Sequence, residues 1–200
     1  MKHVFVETNF VVEVARPFQS RDAEQLLARA NANGDIALYI PWVAIAEAKR
    51  TLDRIIREDL DFTDSMGKFV VREYRDGKIT GPDKIVIEAL SKRASAARKA
   101  AIQSIESTVD AVAARATIIE PDKTVVAKVL SLFAVKSLKP FDEMILGSVL
   151  TKASELYQSG ERDLWFCNLN KKDFDPANQS ALADEYAASA LQFCPSFAIP

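Results

Sequence analysis

Short apolar runs alternate along this chain with long stretches whose apolar residues recur every three or four positions, and that alternation leaves few folds open. Val4-Phe5-Val6, Ile36 to Ile40, Thr117 to Ile119 and Leu164 to Cys167 read as buried strands. The helical stripes between them begin with Ala23, Leu26, Leu27 and Ala30, with Ser20 as cap and Asn33-Gly34 as stop. Pro41 opens a helix carrying Ala44, Ala48, Thr51, Leu52 and Ile55 inward. Ile102, Ile105, Val109 and Val112 share a face within a long helix from about Asp83 to Arg115. Val126, Val129, Leu130 and Phe133 follow Glu120-Pro121-Asp122. Leu146, Val149, Leu150 and Ala153 lie on a helix running from Pro140 to about Tyr157.

This order predicts an α/β fold: three α/β/α layers around a central, mostly parallel sheet of four to five strands. The 200 residues suit a single domain, 1–200. Its helical, charged segment at about 60–116, with turn signals at Asp76-Gly77 and Gly81-Pro82, reads as an extended helical insertion. Residues Ala181 to Ala190 read as a terminal helix over the sheet or a dimer contact.

A net charge of −2 removes the bulk basicity that marks general nucleic-acid binders, so any polyanion must meet a local patch. The single histidine, His3, argues against histidine-based zinc sites and histidine-dependent triads. No Gly-rich phosphate loop is present, which argues against nucleotide-triphosphate chemistry. Only three apolar residues separate Met1-Lys2-His3 from Glu7, too few for a signal core or a membrane span. The expectation is a cytoplasmic protein with Cys167 and Cys194 as reduced thiols and no membrane partner.

Four acids stand where acids are costly. Glu7 ends the apolar run Val4-Phe5-Val6; Glu47 falls in the inner stripe of its helix; Asp142 lies one turn before Leu146; Asp173 follows the strand Leu164 to Cys167 in a loop. An unpaired carboxylate facing a core loses several kcal/mol of hydration, by rough estimate, or takes up a proton. A shared divalent cation resolves the conflict for all four, and an all-carboxylate set suits Mg²⁺ or Mn²⁺. Each acid also has a plain structural use. Asp142 fits a first-turn acid favoured by the helix dipole, Glu47 a partner for Arg50, and Asp173 a solvated loop acid.

Four segments resemble PIN-domain proteins, nearer to the larger bacterial PIN-like subfamilies. Val4-Phe5-Val6-Glu7-Thr8-Asn9 is similar to an apolar strand ending in Asp-Thr-Asn. Pro41 to Glu47 looks like the helix bearing the second acid. Lys139-Pro140-Phe141-Asp142 resembles the third motif, and Trp165 to Phe174 the fourth, in its version ending Lys-Asp-Phe. The resemblance covers about 1–60 and 117–176.

It implies a metal-dependent endoribonuclease in which Glu7, Glu47, Asp142 and Asp173 are catalytic carboxylates that hold Mg²⁺ or Mn²⁺. Thr8, Asn9 and Asn170 would support them; Lys49, Arg50, Arg54, Lys171 and Lys172 would meet RNA phosphates. Lys92, Arg93, Arg98 and Lys99 form a second basic cluster, equally a solvated helix face. Trp42 and Phe174 are candidate base-stacking residues, although core packing is the commoner use of such rings. Among partners the resemblance admits RNA, a homodimer and an antitoxin-like protein. Glu7 and Asn170 each stand where relatives have Asp, and the longer Glu7 arm displaces an ion by roughly 1 Å. The alternatives are therefore a catalytically impaired PIN-like module for binding or assembly, and the toxin of a toxin–antitoxin pair. A phosphate-accepting α/β protein of haloacid dehalogenase type needs Asp at the end of strand one, where Glu7 substitutes poorly.

Overall fold

Pairing in the sheet is parallel throughout, and the element that organises it is the first strand. The computed structural model describes residues 1–15, 21–32, 34–132, 138–178 and 180–199. Strand β1 (Lys2–Phe5) leads into helix α1 (Thr8–Ala15), α2 (Arg21–Ala32) and β2 (Ile36–Pro41). Two long helices follow, α3 (Trp42–Arg75) and α4 (Gly81–Arg115), then β3 (Thr117–Ile119), α5 (Lys123–Leu132) and α6 (Pro140–Gln158). The chain continues through β4 (Leu164–Cys167), the one-turn α7 (Lys171–Phe174), α8 (Ser180–Ala188) and β5 (Leu191–Cys194).

Among the described residues the strand order is β3-β2-β1-β4-β5, with Val4 in register with Leu38 on one side and Trp165 on the other. The chain moves outward from β1 through β2 to β3, then crosses back to β4 and β5 on the far side. Right-handed crossovers in opposite directions put their helices on opposite faces, which makes the three α/β/α layers. The reversal makes the carboxyl ends of β1 and β4 the topological switch point, the place where open parallel sheets bind ligands.

The expected stripes face the core where described: Ala23, Leu26, Leu27, Ala44, Ala48, Leu52, Leu146, Val149, Leu150 and Ala153 are buried. Two expectations need correction. Asp173 lies in the helical turn α7 rather than an open loop, because the Asn170 side chain accepts from the Asp173 amide and caps that turn. Val126 and Leu130 are exposed, since α5 meets α6 through other residues on its circumference. Ser20, Asn33 and Phe133, and the side chains of Arg98, Lys99 and Ile102, lie outside the described residues.

The chain divides into two compact units, one formed by 1–48 with 108–200 and the other by 49–107. Within the second, α3 ends in a turn with Gly77 in the left-handed region at φ 70°, where a side chain would strain the backbone. Thr80 and Asp83 then cap α4 reciprocally: the Thr80 amide donates to Asp83 at 3.0 Å and the Asp83 amide to the Thr80 hydroxyl at 3.4 Å.

Helices α5 and α6 approach each other closely at Gly147 on α6. A Cβ built there would stand 2.5 Å from Val129 Cγ2 and 3.2 Å from the Val129 backbone. Valine cannot swing away freely at χ1. Gly147→Ala gains helix propensity of about 1 kcal/mol, yet overpacking costs about 1–3 kcal/mol. The expected outcome is net destabilisation in urea unfolding; a variant more stable than wild type would show that the helices separate at little cost.

Candidate functional site

Glu7 is the centre of the site because it is the acid with the least access to water. It follows β1, is 4 % exposed, and caps α1: its Oε2 accepts from the Asn9 amide at 3.0 Å. Its Oε1 is buried without a hydrogen-bond partner. Burial, above all, pushes the carboxyl from an ordinary 4.5 up to about 8; Asn9 opposes the rise, while the charges of Glu47 and then Asp142 add to it.

The other three acids arrive from three separate elements at the same end of the sheet. Glu47 sits on α3, which starts directly after β2, and is half-buried. The Thr8 hydroxyl donates to its Oε2 at 2.5 Å. Glu47 thus takes its partner from α1 across the site, and no Glu47–Arg50 ion pair forms among the described residues.

Asp142 is the third residue of α6. Helix α6 runs back along the sheet towards the start of β4, so its first turn lies at the strands' carboxyl ends. Burial first, then the Asp173 charge, raises the Asp142 carboxyl; Glu47 adds to the rise, and the Lys139 backbone and ammonium oppose it. The backbone bond is the return half of a capping box, from the third residue to the cap. Asp173 follows β4 and is held by the Asn170 side-chain amide at 2.8 Å.

The electrostatic influences join all four carboxylates: Glu47 and Asp142 act on Glu7, and Asp173 and Glu47 on Asp142. Thr8, Asn9 and Asn170 each hold one of the acids, through a hydroxyl, a backbone amide and a side-chain amide. No family model and no curated protein matches this chain.

Among the described residues, no three Asp, Glu, His or Cys side chains stand close enough together to hold an ion as posed. The donor set nevertheless fits a hard divalent cation, being four carboxylates without nitrogen or sulfur. The partnerless Glu7 Oε1, buried among like charges, is the acceptor that most needs one.

The basic residues divide differently. Lys171 and Lys172 are exposed on α7, two residues and one before Asp173. Lys49, Arg50 and Arg54 belong to the second unit, where all three are exposed and Arg54 stands 3.8 Å from Glu58. Lys92 and Arg93 are exposed on the same unit's α4. Phe174 does not stack on a ligand: it is 1 % exposed and packs edge-on against Phe166 at 5.5 Å, whereas Trp42 is 38 % exposed.

Two residues at the site escaped sequence reasoning. Lys139, the cation acting on Asp142, was visible only as the residue before Pro140. Asn168, the first residue after β4, is fully buried; its Oδ1 accepts from the Asn170 amide at 2.7 Å and its Nδ2 has no partner. Its position just past a strand end, like that of Glu7, was the available signal. Cys167 and Cys194, whose proximity the sequence left open, are register neighbours across β4 and β5 and are free thiols.

Proposed function

We propose that this chain is a divalent-metal-dependent endoribonuclease of PIN-like type, cutting RNA phosphodiester bonds at Glu7, Glu47, Asp142 and Asp173. The observation that carries the reading is Glu7, a buried carboxylate with one oxygen unpartnered and two other carboxylates raising its pKa. Perturbed carboxylates gathered from separate elements at one end of a sheet are a recurrent mark of functional sites. RNA as substrate rests on the resemblance of the four sequence motifs.

Glu7 and Asp142 would hold Mg²⁺ or Mn²⁺, with Glu47 and Asp173 completing the set. When bound, such an ion lowers the pKa of a water and stabilises the charge developing on the phosphate. The chain's own residues supply the positioning. Thr8 fixes Glu47, the Asn9 amide fixes Glu7, and Asn170 fixes Asp173, so three of the four carboxylates are aimed before substrate arrives. Lys171 and Lys172, on the exposed side of α7, would neutralise phosphates of the bound strand.

The deciding assay incubates single-stranded and structured RNAs with Mn²⁺, with Mg²⁺ and with EDTA. Cleavage with either ion and none with EDTA is the expected result. No cleavage in any condition, with no Mn²⁺-dependent rise in melting temperature, would sink the reading. Metal stabilisation without cleavage would favour a binding or assembly module, the reading that Glu7 in place of Asp supports.

A further inference from the structure

Cys167 and Cys194 take no part in the carboxylate site, yet they are placed against one another. Cys167 ends β4, Cys194 ends β5, and the two are register partners across the parallel pair. Register partners project from the same face of a sheet. Neighbouring strands lie about 4.7–4.9 Å apart, inside the roughly 4.4–6.8 Å between Cα atoms that a disulfide spans. The side chains also meet: the Cys167 thiol donates to the Cys194 sulfur.

The two thiols differ in their surroundings. Cys167 is fully buried, and the contact with Cys194, then burial, hold its proton in place. Cys194 is 6 % exposed and lies on β5, an edge strand among the described residues. Its sulfur stands 3.3 Å from the Ser196 carbonyl and 3.6 Å from the Ser196 hydroxyl. The Cys167 thiol above all brings Cys194 below the usual thiol range; burial opposes the fall, and Ser196 and the Lys2 charge add to it. Lys2 lies over the ring of Trp165, two residues before Cys167 on β4. No cluster of three Cys, His, Asp or Glu forms here among the described residues, so the pair lacks the ligand set of a structural zinc site.

We infer that Cys167 and Cys194 form a peroxide-reactive dithiol site, in which Cys194 is oxidised first and Cys167 then closes a disulfide within the chain. The Cys194 thiolate attacks one oxygen of hydrogen peroxide: an S–O bond forms, the O–O bond breaks, and the departing hydroxide takes up a proton and leaves as water. The Cys167 sulfur attacks the resulting sulfenic sulfur: an S–S bond forms, the S–O bond breaks, and hydroxide leaves with the Cys167 proton as a second water. The two sulfurs give up two electrons, which reduce one peroxide to two waters. A thiolate beside a second thiol is the arrangement such chemistry needs, and the slight exposure of Cys194 admits only a small oxidant. The bond would join β4 to β5 one residue before Asn168, whose amide already donates to Cys194 O at 3.0 Å and whose side chain holds Asn170. The oxidation itself does not depend on the nuclease reading.

Fully reduced protein, freed of reductant and treated with hydrogen peroxide near neutral pH while folded, tests it. Catalase ends the reaction, and N-ethylmaleimide in guanidinium then labels the remaining thiols. Mass spectrometry is expected to find both cysteines of wild type unlabelled, joined within one chain, and recovered as thiols by dithiothreitol. In Cys167→Ser, Cys194 should stop at the sulfenic acid and be captured by dimedone. In Cys194→Ser, loss of the Cys167 thiol should slow at least about tenfold, because a buried, protonated thiol is a poor nucleophile. If either variant does not fold, wild type decides: dimedone present during the reaction must mark Cys194 and not Cys167. Thiols that survive peroxide while free glutathione in the same tube is oxidised, thiols lost without a disulfide, or a disulfide joining two chains would each overturn the inference. So would dimedone on Cys167 in wild type, or Cys194→Ser oxidising as fast as wild type.

Discussion

Asp142→Asn is expected to lower Mn²⁺-dependent RNA cleavage by about 100- to 1,000-fold while the protein stays folded. The two halves follow from the same position. Asp142 is half-buried, and burial, Asp173 and Glu47 all raise its carboxyl, so its negative charge is already disfavoured without a cation. Asparagine removes that charge at nearly constant volume. Against this stands the loss of a first-turn acid, about 0.3–1 kcal/mol. Metal-free stability should therefore change by no more than about 1 kcal/mol, while the Mn²⁺-dependent rise in melting temperature shrinks. Cleavage assays and thermal melts on one preparation test both. A variant that cuts as fast as wild type would remove Asp142 from the site, and one that unfolds would make it a structural cap.

The second large effect concerns Glu7 and pH. Its folded-state pKa, about 8, lies above the ordinary 4.5, so folding takes up a proton between those values. Below about pH 4.5 Glu7 is protonated in both states and costs the fold nothing. As pH rises the unfolded chain ionises first, and the folded state is increasingly penalised until the effect is complete above about pH 8. Metal-free wild type should thus lose stability from pH 5 to pH 8, on the order of a few kcal/mol from this residue.

Glu7→Gln keeps an acceptor for the Asn9 amide and has no proton to lose, so its profile should be flatter and its stability at pH 8 higher. Urea unfolding of both proteins at several pH values in EDTA measures the difference, in which contributions common to both cancel. Parallel profiles would show that Glu7 is ionised in the fold at neutral pH. Because a cation binds the ionised form, Mn²⁺ stabilisation of wild type should grow over the same range.

Local signals in the sequence predict much of this architecture. Pro140 marks a helix start because a first helical residue needs neither its N–H nor a variable φ, whereas Pro41 closes β2 directly before the first residue of α3. The apolar stripe that includes Leu146 predicts Asp142 on the inner side of its helix, and in the fold Asp142 is half-buried. Less was readable where an element is shorter than one period. Helix α7 spans four residues, too few to show periodicity, so Asp173 reads as a loop acid. Strand β5, with Gln192 exposed and Phe193 only partly buried, has no clear pattern of its own.

Aromatic identity was equally silent on direction. Trp42 and Phe174 look alike as candidates, yet one is more than one-third exposed and the other closes the core. The orphaned amide of Asn168 depends on two strand registers, which no local pattern encodes.

The position of β1 at the centre of the sheet also governs when the site can exist. A ribosome delivers β1 and β2 early, but His3 must wait for Leu164 before its strand gains a second neighbour. Such distant pairing is slow, since the closure entropy comes before the contacts that reward it. Until β4 and α7 emerge, Asp173 is missing and Glu7 borders an open sheet edge bathed in water. A nascent chain therefore carries three of the four acids without the burial that brings them into conflict, and the site comes into being only once β4 and α7 have been made.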